Sequence, residues 1–124
     1  VSLRVTPPPS KSKECAAAKR YIDENYNEAI SLDKLAEIAH VNKYYLSHSF
    51  KKEYGSSPID YMLKRRITEA KALLSSTDYS LIQIAEQLGF GSPAYFSKCF
   101  RKVEGISPSG YRCALQQKAA KRSE

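Results

Sequence analysis

The chain has 124 residues, 42% of them hydrophobic, and carries a formal net charge of +7. That length holds one ordinary domain or two very small ones, and the apolar fraction is enough for a buried core, which excludes a purely disordered tail. The positive balance suits a polyanionic partner, either nucleic acid or an anionic membrane surface. Residues 1–62 hold nine Lys and Arg against eight Asp and Glu, whereas residues 63–124 hold eleven against five, so the charge is concentrated in the second half. Cys15, Cys99 and Cys113 are odd in number and widely spaced. They form neither a disulfide framework nor a CxxC metal signature, which points to a reducing, cytoplasmic compartment and to no metal or cofactor. No apolar run reaches the length of a membrane span, no secretory leader pattern is present, and no helix pairs a strong Lys face with a large apolar face, so no membrane partner is expected.

In chain order, residues 1–13 (VSLRVTPPPSKSK) form a Pro-rich linker or arm. A linker implies something to link, and a sensor domain upstream of this chain is expected. Ala16 to Tyr26 then has apolar residues at helical spacing, including Ala17, Tyr21 and Ile22. Ser31 is placed to N-cap a short helix with Leu32, Leu35, Ala36 and Ala39 on one face. Asn42 is placed to cap the next helix, in which Leu46 and Phe50 share a face, and Gly55 marks its stop. Ser57-Pro58 opens a longer helix, with Ser at the N-cap and Pro at the first helical position. Its stripe is Tyr61, Met62, Ile67, Ala70, Leu73 and Leu74, and Ser75 to Asp78 end it. From about Pro58 to Leu74 this helix would measure roughly 25 Å. The basic tail from Lys118 is expected to fray.

The chain repeats itself. Ser80-Leu81 matches Ser31-Leu32, and Ile84-Ala85-Glu86 matches Leu35-Ala36-Glu37. Tyr45, Ser47, Phe50, Lys52, Gly55, Ser57, Pro58 and Tyr61 recur as Tyr95, Ser97, Phe100, Lys102, Gly105, Ser107, Pro108 and Tyr111. The offset is 49 before the turn and 50 after it, so one extra residue lies in the second turn, around Gly89 to Ser92. No strand pattern is present. The expected fold is all-α, with about seven helices and one structural unit occurring twice.

Each unit is a short capped helix, a tight turn and a second capped helix, the pattern of a helix-turn-helix. In the second copy Gly89 suits a left-handed turn, Phe90 can plug the gap between the helices, and Ser92 and Pro93 start the next helix. In the first copy His40 and Val41 take the places of Gly89 and Phe90. Phe96, Cys99, Phe100 and Val103 are expected to face the core, with Ala94, Ser97, Lys98 and Arg101 outward. In the first copy Leu46, Ser49 and Phe50 are expected inward, and Tyr44, Ser47, His48 and Lys51 outward. Small and hydrogen-bonding side chains flanked by Lys and Arg suit base edges with phosphate anchors beside them. A solvated amphipathic helix explains either face alone. Two such faces, each following a helix and turn of matching pattern, favour DNA.

The stretch IAEQLGFGSPAYFSKCFRKVEGISPSGYR, from Ile84 to Arg112, resembles the signature of the AraC/XylS family of bacterial transcription regulators. The stretch from Leu35 to Leu74 resembles that family's first unit and linker helix. The resemblance implies two helix-turn-helix subdomains (residues 14–56 and 77–117) joined by a linker helix (57–76), with a basic tail over 118–124. It implies sequence-specific binding of double-stranded DNA, with two recognition helices in adjacent major grooves. Base contacts would fall to Tyr44, Ser47 and His48, and to Ser92, Pro93, Ala94, Ser97 and Lys98. Lys43, Lys51 and Arg101 correspond to backbone-contacting positions. Pro93-Ala94 departs from the polar side chains the family often places there, which shifts that part of the reading to backbone amides or to contact with a thymine methyl. RNA polymerase is a further candidate partner, and the fragment is expected to be monomeric.

An enzyme is not expected. His40 and His48 have no Cys or Asp partner at catalytic spacing, and Cys99 reads as a buried, inert thiol. The alternative function is a helical protein-interaction module with an incidental basic surface.

Overall fold

The computed structural model describes residues 13–122. Among the described residues there are seven helices and no strand: α1 (Lys13–Asn25), α2 (Leu32–Ala39), α3 (Lys43–Tyr54), α4 (Pro58–Ser76), α5 (Leu81–Gln87), α6 (Pro93–Glu104) and α7 (Pro108–Arg122). The arm over residues 1–12 lies outside the described residues. α7 continues past Lys118, so the backbone of the basic tail is helical as far as Arg122. The described residues divide into two compact units, one of residues 13–26 and 30–62, the other of residues 27–29 and 63–122. Helix α4 therefore begins in the first unit and ends in the second, and three residues of the α1–α2 connection belong to the second.

The first unit closes around Cys15, Ala18 and Ile22 of α1, Leu35, Ala36 and Ala39 of α2, Leu46 and Phe50 of α3, and Met62 of α4. On α1 the buried stripe runs through Cys15, Ala18 and Ile22, with Tyr21 packed beside it, and Ala17 is exposed. The expected inclusion of Ala17 was therefore one position off. At 100° per residue that is enough to turn a small side chain from core to solvent. In the second unit the buried residues include Ile67, Ala70 and Leu74 of α4, Ile84 and Ala85 of α5, Phe90 of the turn, and Phe96, Cys99 and Phe100 of α6. Val103 is 38% exposed, against the expectation of an inward residue. It lies in the last turn of α6, where the helix has passed beyond the core that Phe96, Cys99 and Phe100 fill.

The same local devices build both copies. Ser31 and Ser80 cap α2 and α5, each hydroxyl accepting from the amide three residues on. Gln83 completes a capping box with Ser80. The two helix-turn-helix turns are closed alike. In the first, His40 donates to the Glu37 carbonyl at 3.2 Å and Val41 to that of Ala36 at 3.0 Å. In the second, Gly89 donates to Glu86 at 3.2 Å and Phe90 to Ala85 at 2.9 Å. This pair of bonds satisfies helix-end carbonyls and needs a left-handed residue, which His40 (φ 60°) and Gly89 (φ 83°) supply. The extra residue of the second turn is accommodated by Gly91, also left-handed at φ 86°.

At the far end of α3 and α6 the copies agree again. Gly55 and Gly105 donate to Lys51 and Arg101 at 2.8 Å, and Ser57 and Ser107 cap the helices that follow. The Phe50 ring meets Tyr61 edge-on at 5.7 Å, and the Phe100 ring meets Tyr111 in the same way at 5.5 Å. Both phenylalanines are fully buried. Phe50→Ala and Phe100→Ala should each lower stability by about 3–5 kcal/mol, since each removes a packed ring and leaves a cavity. Urea and thermal unfolding followed by circular dichroism would measure this. An unchanged midpoint in either variant would remove the division of α3 and α6 into inner and outer faces.

Candidate nucleic-acid interface

Helix α3 begins at an Asn42 cap whose side-chain oxygen accepts from the amides of Tyr44 at 2.8 Å and Tyr45 at 3.4 Å. With Leu46 and Phe50 committed to the core, Tyr44, His48 and Lys51 are exposed and Ser47 is half-buried beside them. Ser49, expected inward, is only half-buried. Tyr44 is 72% exposed, a large aromatic ring held in water next to a basic residue. The Lys43 ammonium lies 5.5 Å from the centre of that ring and 3.3 Å from an Asp33 carboxylate oxygen on α2. Asp33 is well exposed and Lys43 half-buried, so the pair is screened by solvent and contributes little to stability. Sequence spacing did not show the Asp33–Lys43 pair, because it depends on how α2 and α3 pack.

Helix α6 begins at Ser92, whose hydroxyl oxygen accepts from the Tyr95 amide at 3.2 Å while its proton remains to be donated. Pro93, Ala94, Lys98 and Arg101 are exposed, and Ser97 is half-buried among them. Each outward face thus brings together the residues expected on it: Tyr44, Ser47, His48 and Lys51 with Lys43 on α3, and Ala94, Ser97, Lys98 and Arg101 with Ser92 and Pro93 on α6. Tyr95 flanks the α6 face. A hydrogen bond involving the Cys99 thiol, with burial added, raises its phenol above the usual value. Cys99 itself is buried.

Two arginines without an assigned role in the sequence reading hold the second unit together. Arg112 donates to three main-chain carbonyls, Leu74 at 3.2 Å, Thr77 at 3.1 Å and Tyr79 at 2.7 Å. These carbonyls lie at the end of α4 and in the segment leading to α5, where helix-terminal acceptors lack partners of their own. Arg66 is 4% exposed and donates to the Glu28 carbonyl at 2.8 Å. It sits in the row Met62, Arg66, Ala70, Leu74, spaced by four along α4, so its inward direction was present in the sequence.

No helix of the described residues is long and apolar enough to cross a membrane. Among the described residues no group of three or more His, Cys, Asp or Glu side chains is arranged to hold a metal ion.

Comparison with known proteins agrees with this geometry. A family model described as a helix-turn-helix domain matches residues 35–114. The chain is 39% identical over 111 residues to the HTH-type transcriptional regulator YisR of Bacillus subtilis, covering 90% of this chain and 39% of that protein's length. Among solved structures it is similar to the DNA-binding domain of the global transcriptional factor AdpA in complex with a target DNA, with a TM-score of 0.80 and 29% identity. That likeness covers 86% of this chain and 96% of the AdpA chain. It is also similar to a transcriptional regulator with an AraC-type DNA-binding domain from Chromobacterium violaceum, with a TM-score of 0.74 and 31% identity over 84% of this chain and 93% of that one. The chain therefore belongs to the AraC-type helix-turn-helix family of transcription regulators, whose business is binding DNA and not catalysis.

Proposed function

We propose that this chain reads operator DNA with both α3 and α6, each inserted into a major groove, the two grooves being adjacent. The observation that carries the reading is the repeated division of faces. Each helix is anchored inward by a fully buried phenylalanine and presents basic and hydrogen-bonding side chains outward. On α3 the base edges are met by Tyr44, Ser47 and His48, with Lys43 and Lys51 on phosphates. On α6 they are met by Ser92, Pro93, Ala94, Ser97 and Lys98, with Arg101 on a phosphate. Pro93 and Ala94 offer apolar surface suited to a thymine methyl, and the Ser92 hydroxyl can still donate. Two reading helices on one chain make a dimer unnecessary for a two-groove site, so the domain acts on DNA as a monomer. The chain spans 39% of the length of YisR; as partners of the DNA-reading part we propose an upstream sensor domain and RNA polymerase, in the cytoplasm.

Hydroxyl-radical footprinting of the domain on its site should show about two turns, roughly 20 bp, protected on one face. A single protected groove, or a palindrome filled only by two copies, would overturn the two-helix reading. Six or more phosphate contacts imply a loss of affinity of about 10³-fold between 50 and 200 mM salt. Affinity that hardly changes over that range would point to a protein partner instead.

Selection of bound sequences from a random pool separates base readers from phosphate anchors. Lys98→Ala should relax preference at one base pair by about 1–3 kcal/mol, because Lys can donate to the O6 and N7 acceptors of guanine. Arg101→Ala should weaken all sequences alike and reduce the salt slope by about 1. His48→Ala, at the place equivalent to Lys98, should have a smaller effect than Lys98→Ala. The opposite pattern for Lys98 and Arg101 would exchange their roles.

A further inference from the structure

Arg66 is not on either outward face, yet it lies against the turn that launches α6. Its guanidinium carbon is 5.4 Å from the centre of the Phe90 ring, and one of its nitrogens donates to the Glu28 carbonyl at 2.8 Å. Phe90 in turn packs on Phe96 at 5.1 Å and on Tyr95 at 6.0 Å, both in the first turn of α6. The turn itself lies flush on residues 27–29 of the same unit. A Cβ added to Gly89 would fall 2.4 Å from the Asn27 carbonyl oxygen and 3.4 Å from an Arg66 guanidinium nitrogen. Gly89 is therefore required twice, for its left-handed backbone and for this close approach. His40, at the same place in the first copy, meets only the first requirement.

Burying a guanidinium costs desolvation that an aliphatic side chain would not incur. Burial indeed pulls Arg66 below its usual pKa, opposed by the electrostatic influence of Tyr95 and Cys99 on α6. What the arginine supplies in return is direction: a planar cation for the Phe90 ring and a fixed donor for a main-chain carbonyl. Met or Leu could fill the space but could not fix the turn to residues 27–29.

We propose that Arg66 is a positioning residue for base reading by α6: it clamps Phe90 and the α5–α6 turn onto the Asn27–Ala29 segment and so fixes where Ser97 and Lys98 are presented. The proposal rests on the DNA-reading function above. α3 has its own anchors, in Asn42 and the core around Phe50, and does not depend on this clamp.

The test uses the whole chain as Arg66→Met and Arg66→Lys, with Lys98→Ala as reference, and two readouts. In random-pool selection the wild type should return two blocks of specified bases, and Lys98→Ala identifies the α6 block. Arg66→Met should flatten several positions of that block, each by about tenfold, and leave the α3 block intact. Its salt slope should match the wild type, since no phosphate contact is lost. The second readout needs no DNA. Amide hydrogen exchange at Gly89 and Phe90 should accelerate by about tenfold or more, while His40 and Val41, in the equivalent turn, keep their wild-type rates. Arg66→Lys keeps the charge and loses the fork, and should fall between wild type and Arg66→Met in both readouts. Should Arg66→Met not fold, Arg66→Lys decides. Wild-type exchange at Gly89 and Phe90, a wild-type α6 block, or equal damage to both blocks would overturn the proposal. A wild-type pool with only one block would sink the two-helix reading, while the exchange experiment would still judge the clamp.

Discussion

Phe50 and Phe100 decide which side of each second helix is available to a partner. A twelve-residue helix has one stripe wide enough to bury, and once a ring at its middle is locked into a core the opposite side is fixed as well. The lock is not the ring alone. Tyr61 and Tyr111 meet the two rings in the same edge-to-face manner, and Gly55 and Gly105 let the chain turn back so that those tyrosines arrive. Ser57 and Ser107 start the helices that carry them. The outward face of each helix is thus a consequence of apolar packing on the other side.

The left-handed residue between the two helices of each unit matters next, because it sets the angle at which the second helix departs. His40 shows that the position demands a conformation and not a glycine. An L-residue other than Gly tolerates the left-handed region at some cost when the surrounding bonds hold it, and here the Glu37 and Ala36 carbonyls do so. At Gly89 a side chain would meet the Asn27 carbonyl at once. The copies share a backbone solution and differ in what surrounds it.

Much of this was legible in the sequence because it is local. Caps, stops and turn residues act over three to five positions, and Ser31, Asn42, Ser80, Ser92, Gly55 and Gly89 stand where the structure uses them. The single insertion between the copies reappears as Gly91. The outward faces followed from the inward ones. The misplacements fall where the apolar signal is weak or runs off the core. Ala17 and Ala18 are the same residue to a pattern, and only packing separates them. Val103 has the right spacing but outlasts the core it was meant to enter. Arg66 was hidden for the opposite reason: its position is inward by spacing, but its charge argued against burial. Only the structure shows the Glu28 carbonyl and the Phe90 ring that make its burial tolerable. The Asp33–Lys43 pair joins two helices and leaves no periodic trace.

The two copies diverge most in their buried and half-buried polar groups. In the first unit the Tyr61 hydroxyl donates to Asp23 at 2.6 Å, Lys19 pairs with Asp23 at 3.1 Å, and the end of α1 is served locally by the Asn25 side chain on the Tyr21 carbonyl. Burial, with Asp23 alongside, holds the Tyr61 phenol above its usual pKa. The position after that tyrosine is Met62, buried in the core, whereas the equivalent position of the second unit is Arg112, spread over three carbonyls. The partners Arg112 reaches are 33 to 38 residues away in sequence, and Arg66 reaches 38 residues back to Glu28. Both units have an apolar core, but the first reaches across its sequence through a tyrosine hydroxyl to a carboxylate, the second through two arginines that each bond distant main chain. A repeat inherited as one module can keep its helices, turns and outward faces while the groups that stiffen it are replaced. In the second unit the face that carries Lys98 therefore depends on residues far outside the helix-turn-helix motif itself.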